Sequence, residues 1–291
     1  MQTPQSHPQS SRPASPIQTP LLFIGGGTMA HAIYAGATQA GVLDPALVAV
    51  LDPNESRHPL FGNAFAAPDE AINWLASDSS AGCMIVLAVK PQMLGVATDP
   101  IRPLLDSSEL APTVISILAG TRSESLANAM GPTSRIVRVM PNTPSQIGQG
   151  ISAIAPSTSS TQADIDLAKV IMSAVGETVD LDESMMDAFT AVAGSGPAYV
   201  FYLVEAMTKA AESLGFDPAQ ARTIVEQTVI GSSALLADSA DDASNLRARV
   251  TSKNGTTHAA TTTLDTLGVM DAFTKALTAA RDRGIELAGE G

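Results

Sequence analysis

The chain has 291 residues, 45% of them hydrophobic, enough for a sizeable core and for one large or two ordinary domains. Its net charge of −13, from 29 acidic and 16 basic residues, argues against nucleic acid or an anionic membrane as a partner. The single cysteine, Cys83, excludes an internal disulfide, and the four histidines are too scattered for metal-ligand spacing.

Residues 1–19 are rich in Pro, Ser and Gln and hold no apolar block, so they read as a disordered tail and not as a signal peptide. No stretch approaches the roughly 18 continuous apolar residues of a membrane span. A soluble, cytoplasmic protein is expected.

Leu21 to Gly27 is an apolar strand running into glycines, and a segment with Ala, Ile and Tyr at helical spacing follows. Further apolar runs come at Leu47–Asp52, Cys83–Val89, Thr113–Ala119 and Arg135–Met140, with helix-like segments between them. Such alternation predicts a parallel sheet covered on both faces. Ile151–Pro156 and Gly176–Leu181 are expected to add strands, with a helix between. Cys83 lies in one of these apolar runs and reads as a buried core thiol.

From about Glu183 the pattern turns helical, interrupted by the Gly194-Ser195-Gly196-Pro197 tetrapeptide. Asp217 is expected to cap a helix with Pro218 at its first position. The Ala-rich helices carry apolar residues on more than one face, which points to burial against a partner subunit. The expected fold is α/β: a tail of 1–19, a dinucleotide-binding Rossmann domain of 20–181, and an all-helical domain of 182–291 for substrate binding and dimerisation.

Gly25-Gly26-Gly27-Thr28-Met29-Ala30 fits G-x-G-x-x-A between a strand and a helix. The glycines allow a tight turn and close backbone approach to a pyrophosphate, and Ala30 allows the helix to pack on the strand. Asp52, ending the next apolar run, would accept a hydrogen bond from the ribose 2′-hydroxyl of NAD and repel the 2′-phosphate of NADP. Asn54, Ser56 and Arg57, just beyond, could instead cradle that phosphate. The two signals conflict, and a plain Asp-Pro-Asn turn is a third reading. Ala88-Val89-Lys90-Pro91-Gln92 and Met140-Pro141-Asn142-Thr143-Pro144 end the third and fifth strands, at the edge where open α/β sheets bind ligands.

Arg249 to Asp265 reads as a tight polar loop feeding a helix start, with Ser252, Gly255, Thr256 and Thr257 in quick succession. Free N–H groups and hydroxyls there make a site for a small carboxylate. His258 next door is disfavoured as a proton donor, because a helix N-terminus opposes an imidazolium.

Taken together, IGGGTMAHAI, AVKPQ, IVRVMPNTPSQIGQGISAI, DAFTAVAGSGPAYVFYLVEAM and RVTSKNGTTHAATTTLD resemble the pyrroline-5-carboxylate reductase family, in order and spacing, from residue 20 to about 287. The resemblance implies a Rossmann domain and a helical domain that interlocks with a second subunit, in dimers that often assemble further into decamers. It implies reduction of 1-pyrroline-5-carboxylate to L-proline, usually by NADPH and sometimes by NADH. Cofactor contacts carry over to Ile24, Gly25, Gly26, Gly27, Thr28 and Met29, and to Ala88, Val89, Lys90 and Pro91. Substrate contacts carry over to Ser252, Gly255, Thr256 and Thr257, with Thr257 expected to hydrogen-bond the imine nitrogen.

Two departures from the family pattern stand out. Lys253 and Asn254 stand where Pro and Gly are common, and Asn tolerates a left-handed backbone well enough to keep the loop's shape. Thr28 stands where Asn is common, and its hydroxyl is expected to cap the helix. Two other readings compete: a β-hydroxyacid-dehydrogenase-like reductase, which needs a lysine acid/base such as Lys209, and a non-catalytic dinucleotide-binding regulator.

Overall fold

The computed structural model describes residues 16–77, 82–108 and 110–289. Most of the expected disordered tail, residues 1–15, lies outside them. Ile17 does not behave as tail: it bridges Leu43, and its N–H donates to the Val42 carbonyl at 2.9 Å.

Eight strands form one sheet: β1 (Leu21–Ile24), β2 (Val48–Leu51), β3 (Asn63–Phe65), β4 (Met84–Leu87), β5 (Thr113–Ser116), β6 (Arg135–Met140), β7 (Gly150–Pro156) and β8 (Gly176–Asp180). Their spatial order is β3-β2-β1-β4-β5-β6-β7-β8. The first six are parallel in the order of dinucleotide-binding sheets, with the strand order reversing between β1 and β4. β7 runs antiparallel to β6, and β8 parallel to β7. The apolar runs form strands because both faces are covered: β1, β2, β4 and β5 are buried at every position. One face of β1 packs Leu21 and Phe23 against Ile33 and Ala37 of the helix Thr28–Gln39. The other packs Leu22 and Ile24 against Ile72 and Leu75 of the helix Pro68–Ala76.

Three details differ from the sequence reading. β3 was not expected, because its three half-buried residues make no apolar run. The segment after β4 is not one helix but two, Leu94–Thr98 and Arg102–Ser108, broken at Asp99-Pro100. Before the Gly-Ser-Gly-Pro tetrapeptide, Thr190–Gly194 forms a π-helix, in which the Ser195 N–H reaches back to the Thr190 carbonyl at 2.8 Å.

By contacts the chain divides after Ser195: residues 16–195 with 280–289 form one unit and residues 196–279 the other. Residues 183–189 stay with the sheet because Met186 and Phe189 pack on Ala153 and Ala155 of β7. Two ion pairs add to this, Arg122 to the almost buried Asp187 at 2.6 Å and the buried Arg138 to Glu183 at 2.7 Å.

In the second unit the helix Gly196–Ser213 packs on Pro218–Asp238 through Val204, Met207, Ala211, Ala221 and Val225. Asp217 caps the latter helix in a reciprocal box with Gln220, with Pro218 behind it. The helices Ala243–Arg249, Thr256–Thr266 and Val269–Gly289 bury no residue at all. Phe201 is 68% exposed, Tyr202 74% and Leu267 73%. So much bare apolar surface is the mark of an interface.

Candidate active site

The C-terminal ends of β1, β2 and β4 bring the predicted cofactor residues to one edge of the sheet. Gly25 adopts φ +95°, and a Cβ there would sit 2.9 Å from Val89 Cγ1 and 3.1 Å from the Ala88 carbonyl carbon. Ile24 and Ala88 are joined by the Ala88 N–H to Ile24 carbonyl bond at 2.9 Å. The first glycine is therefore needed twice, for its dihedral and for the close pass of the β4 exit.

Gly27 is the N-cap of the helix Thr28–Gln39, and no side chain caps it. Thr28 is the first helical residue and exposed, so the capping role expected of its hydroxyl is not taken up. The first N–H groups of this helix have no capping side chain, an arrangement suited to a phosphate. Met29 lies behind, packed on the core.

At the end of β2, Asp52 accepts the Gly26 N–H on Oδ2 at 2.7 Å and the Asn54 N–H on Oδ1 at 2.8 Å. Asn54 in turn accepts from the Ser56 N–H and hydroxyl and so caps the turn Glu55–Leu60. Arg57 lies over Gly26, its Cβ 3.1 Å from where a glycine Cβ would be. Among the described residues the Arg57 guanidinium and the Lys90 ammonium have no hydrogen-bond or ion-pair partner. Two free cations and an uncapped helix start on one sheet edge fit an anionic ligand with several phosphates. Pro91 follows Lys90 as the first residue of a short 3₁₀ turn.

Asn142, in the loop after β6, was expected to face the ligand. It is 8% exposed and turned inward: its Oδ1 accepts the Ile151 N–H at 2.9 Å and its Nδ2 donates to the Ala193 carbonyl at 3.2 Å. No local pattern distinguishes that amide from a ligand contact, so the sequence reading missed its role.

A cavity of about 430 Å³ lined by Cys83, Thr113, Arg135 and Asp164 opens at the opposite ends of the parallel strands. Its polar groups are spent on one another, with Arg135 pairing Asp164 at 3.0 Å, so it offers little chemistry to a ligand. Burial pushes the Cys83 thiol up to about 11, against the lowering effect of Arg135, which makes it an inert core thiol as expected.

In the helical unit, Asn254 has φ +63°, the one non-glycine residue with positive φ among those described. The substitution for glycine therefore keeps the left-handed turn. Gly255 is the N-cap of Thr256–Thr266, and a Cβ on it would lie 2.4 Å from Ser252 Oγ. The hydroxyls of Ser252, Thr256 and Thr257 make no hydrogen bond to the described residues. Thr257 is half-buried, whereas Lys253 and His258 are exposed. Three unspent hydroxyls beside an uncapped helix start offer donors suited to a carboxylate.

Lys209, the lysine a hydroxyacid dehydrogenase would need, is exposed and pairs with Glu205 one turn away at 2.6 Å. Among the described residues Glu205 is its one ion-pair partner.

Residues 183–287 match the family described as pyrroline-5-carboxylate reductase dimerisation, and residues 20–120 match the one described as NADP oxidoreductase, coenzyme F420-dependent. The pyrroline-5-carboxylate reductase of Haemophilus influenzae is 37% identical over 270 residues, 92% of this chain and 97% of that protein. The chain belongs to the pyrroline-5-carboxylate reductase family. Another member, from Pseudomonas aeruginosa, is 36% identical over 94% of this chain and 98% of its own. Among solved structures, the reductase of Coxiella burnetii superposes with a TM-score of 0.82 at 31% identity, covering 93% of this chain and 99% of that one. The pyrroline carboxylate reductase of Plasmodium falciparum, solved with NADP bound, gives 0.81 at 25% identity, covering 94% and 100%. The dimerisation match accounts for the bare apolar helices: this family member presents them to other copies of itself.

Proposed function

We propose that this chain is an NADPH-dependent pyrroline-5-carboxylate reductase, which reduces the C=N bond of 1-pyrroline-5-carboxylate to give L-proline in the last step of proline biosynthesis. The observation that carries the reading is its agreement with reductases of that name over 92% of its length.

Ile24 to Met29, the Asn54–Arg57 turn and Ala88 to Pro91 would hold the dinucleotide. The unpartnered Arg57 guanidinium supports a 2′-phosphate and hence NADPH over NADH. When bound, the nicotinamide supplies the hydride. Ser252, Gly255 and Thr256 receive the substrate carboxylate through N–H and hydroxyl donors. The Thr257 hydroxyl hydrogen-bonds the ring nitrogen, which takes its proton from solvent or arrives protonated. A protonated nitrogen makes the neighbouring carbon electrophilic, so the chain's contribution is chiefly positioning, worth up to about 7–11 kcal/mol in favourable cases. The helical unit forms a homodimer, which assembles further into a decamer as the family resemblance implies.

Purified full-length protein with the imine and either NADPH or NADH tests this directly. Oxidation of the nicotinamide, faster with NADPH, is expected. A folded sample that binds NADPH and oxidises neither cofactor would overturn the assignment.

A further inference from the structure

An acidic residue at the end of the second strand ordinarily faces the adenosine ribose and selects NAD. Asp52 occupies that position, yet its carboxylate is turned toward the protein. One oxygen accepts from Gly26 in the glycine turn at 2.7 Å, the other from Asn54 in the next turn at 2.8 Å. Its main chain is held as well, with the His58 ring nitrogen 2.8 Å from the Asp52 carbonyl oxygen. A Cβ added to Gly26 would meet Arg57 Cβ at 3.1 Å, Val50 Cγ2 at 3.2 Å and Asp52 Oδ2 at 3.3 Å, so the turn is packed closely on these side chains. These bonds join segments 26 residues apart in the chain, so the carboxylate fixes one turn relative to the other.

We propose that Asp52 is a positioning residue which locks the glycine turn to the Asn54–Arg57 turn, and that it does not select between the two dinucleotides through the ribose. The inference rests on the reductase reading above and specifies how its cofactor site is built. Backbone N–H bonds to a carboxylate are among the stronger hydrogen bonds. Spending the Gly26 N–H on Asp52 leaves the N–H groups at the start of Thr28–Gln39 for the pyrophosphate.

The two roles give opposite results on truncation. Dissociation constants for NADPH and NADH are measured by fluorescence of the bound nicotinamide on full-length wild type, Asp52→Asn and Asp52→Ala. Amide hydrogen exchange at Gly26 is followed on the same proteins without cofactor. A lock predicts that both dinucleotides weaken together, by about tenfold for one lost charge-assisted bond, and that Gly26 exchange accelerates. A ribose ligand predicts that Asp52→Ala weakens NADH and strengthens NADPH, and that result overturns the proposal. Unchanged exchange at Gly26 overturns it as well. Should Asp52→Ala fail to fold, the isosteric Asp52→Asn decides by the same criteria. If wild type binds neither dinucleotide, the reductase reading falls, while the exchange measurement still judges the lock.

Discussion

The side-chain amide of Asn142 donates to the Ala193 carbonyl at 3.2 Å and so ties the loop leaving β6 to the π-helical turn Thr190–Gly194. The neighbouring Met140 supports the same turn, since a Cβ on Gly194 would lie 2.7 Å from its Cε. The Asn142 oxygen meanwhile accepts from Ile151 at the start of β7. One buried amide thus satisfies backbone groups of both β7 and the π-helical turn.

Asn142→Ala leaves the Ile151 N–H and the Ala193 carbonyl without these partners, at a cost of about 1–3 kcal/mol. A lower melting temperature is expected. Asn142→Asp should not restore it, because an oxygen then faces the Ala193 carbonyl. Thermal unfolding of both variants checks this, and a wild-type melting temperature in either would remove the role.

The substrate loop should be sensitive to shape at two adjacent positions. Asn254→Gly keeps the positive φ and is expected to leave the kinetics near wild type. Asn254→Val carries a β-branched side chain into the left-handed region, at about 1–2 kcal/mol. Gly255→Ala brings a methyl against the Ser252 hydroxyl, which must swing out of its place beside the helix start. Both disruptive changes should raise KM for the imine while the NADPH dissociation constant stays put.

Thr257→Ala is expected to lower kcat/KM for the imine by roughly tenfold, the worth of one hydrogen bond of about 1.4 kcal/mol. Thr257→Ser retains the hydroxyl and should recover most of the loss. Wild-type steady-state kinetics in the alanine variant would show that the ring nitrogen finds its partner elsewhere.

Asp164 should make the protein sensitive to acid. Burial pushes its carboxyl up, and hydrogen bonds from Thr113, Thr161 and Arg135 more than reverse this, leaving it below the usual carboxylate range. A depressed folded value contributes stability above about pH 4 that is lost as pH falls through it. Melting temperatures taken between neutral pH and about pH 3 should fall less steeply for Asp164→Asn than for wild type. The variant should also be the less stable at neutral pH.

Much of the fold was legible from the chain because continuous apolar runs leave few options: a strand buried on both faces must lie inside a covered parallel sheet. β1, β2, β4 and β5 follow that rule at every residue. The helical second half and the Asp217 cap were readable for the same local reasons. So was the left-handed turn at Asn254, since few residues other than Gly tolerate that dihedral. β3 and the π-turn were not, because short, half-buried or irregular segments take their form from neighbours, and the strand expected at Ile151–Pro156 carried no sign of its antiparallel direction. The same limit governs the site. Sequence alone nominated Asp52 and Asn142 as polar groups at strand ends, which is where ligands bind. Only the tertiary structure decided that both hydrogen-bond to the protein's own backbone, because their partners, Gly26 and Ala193, lie 26 and 51 residues away along the chain. A hydrogen bond across that separation leaves no trace in local spacing, and it exists only once the sheet has brought the two segments together.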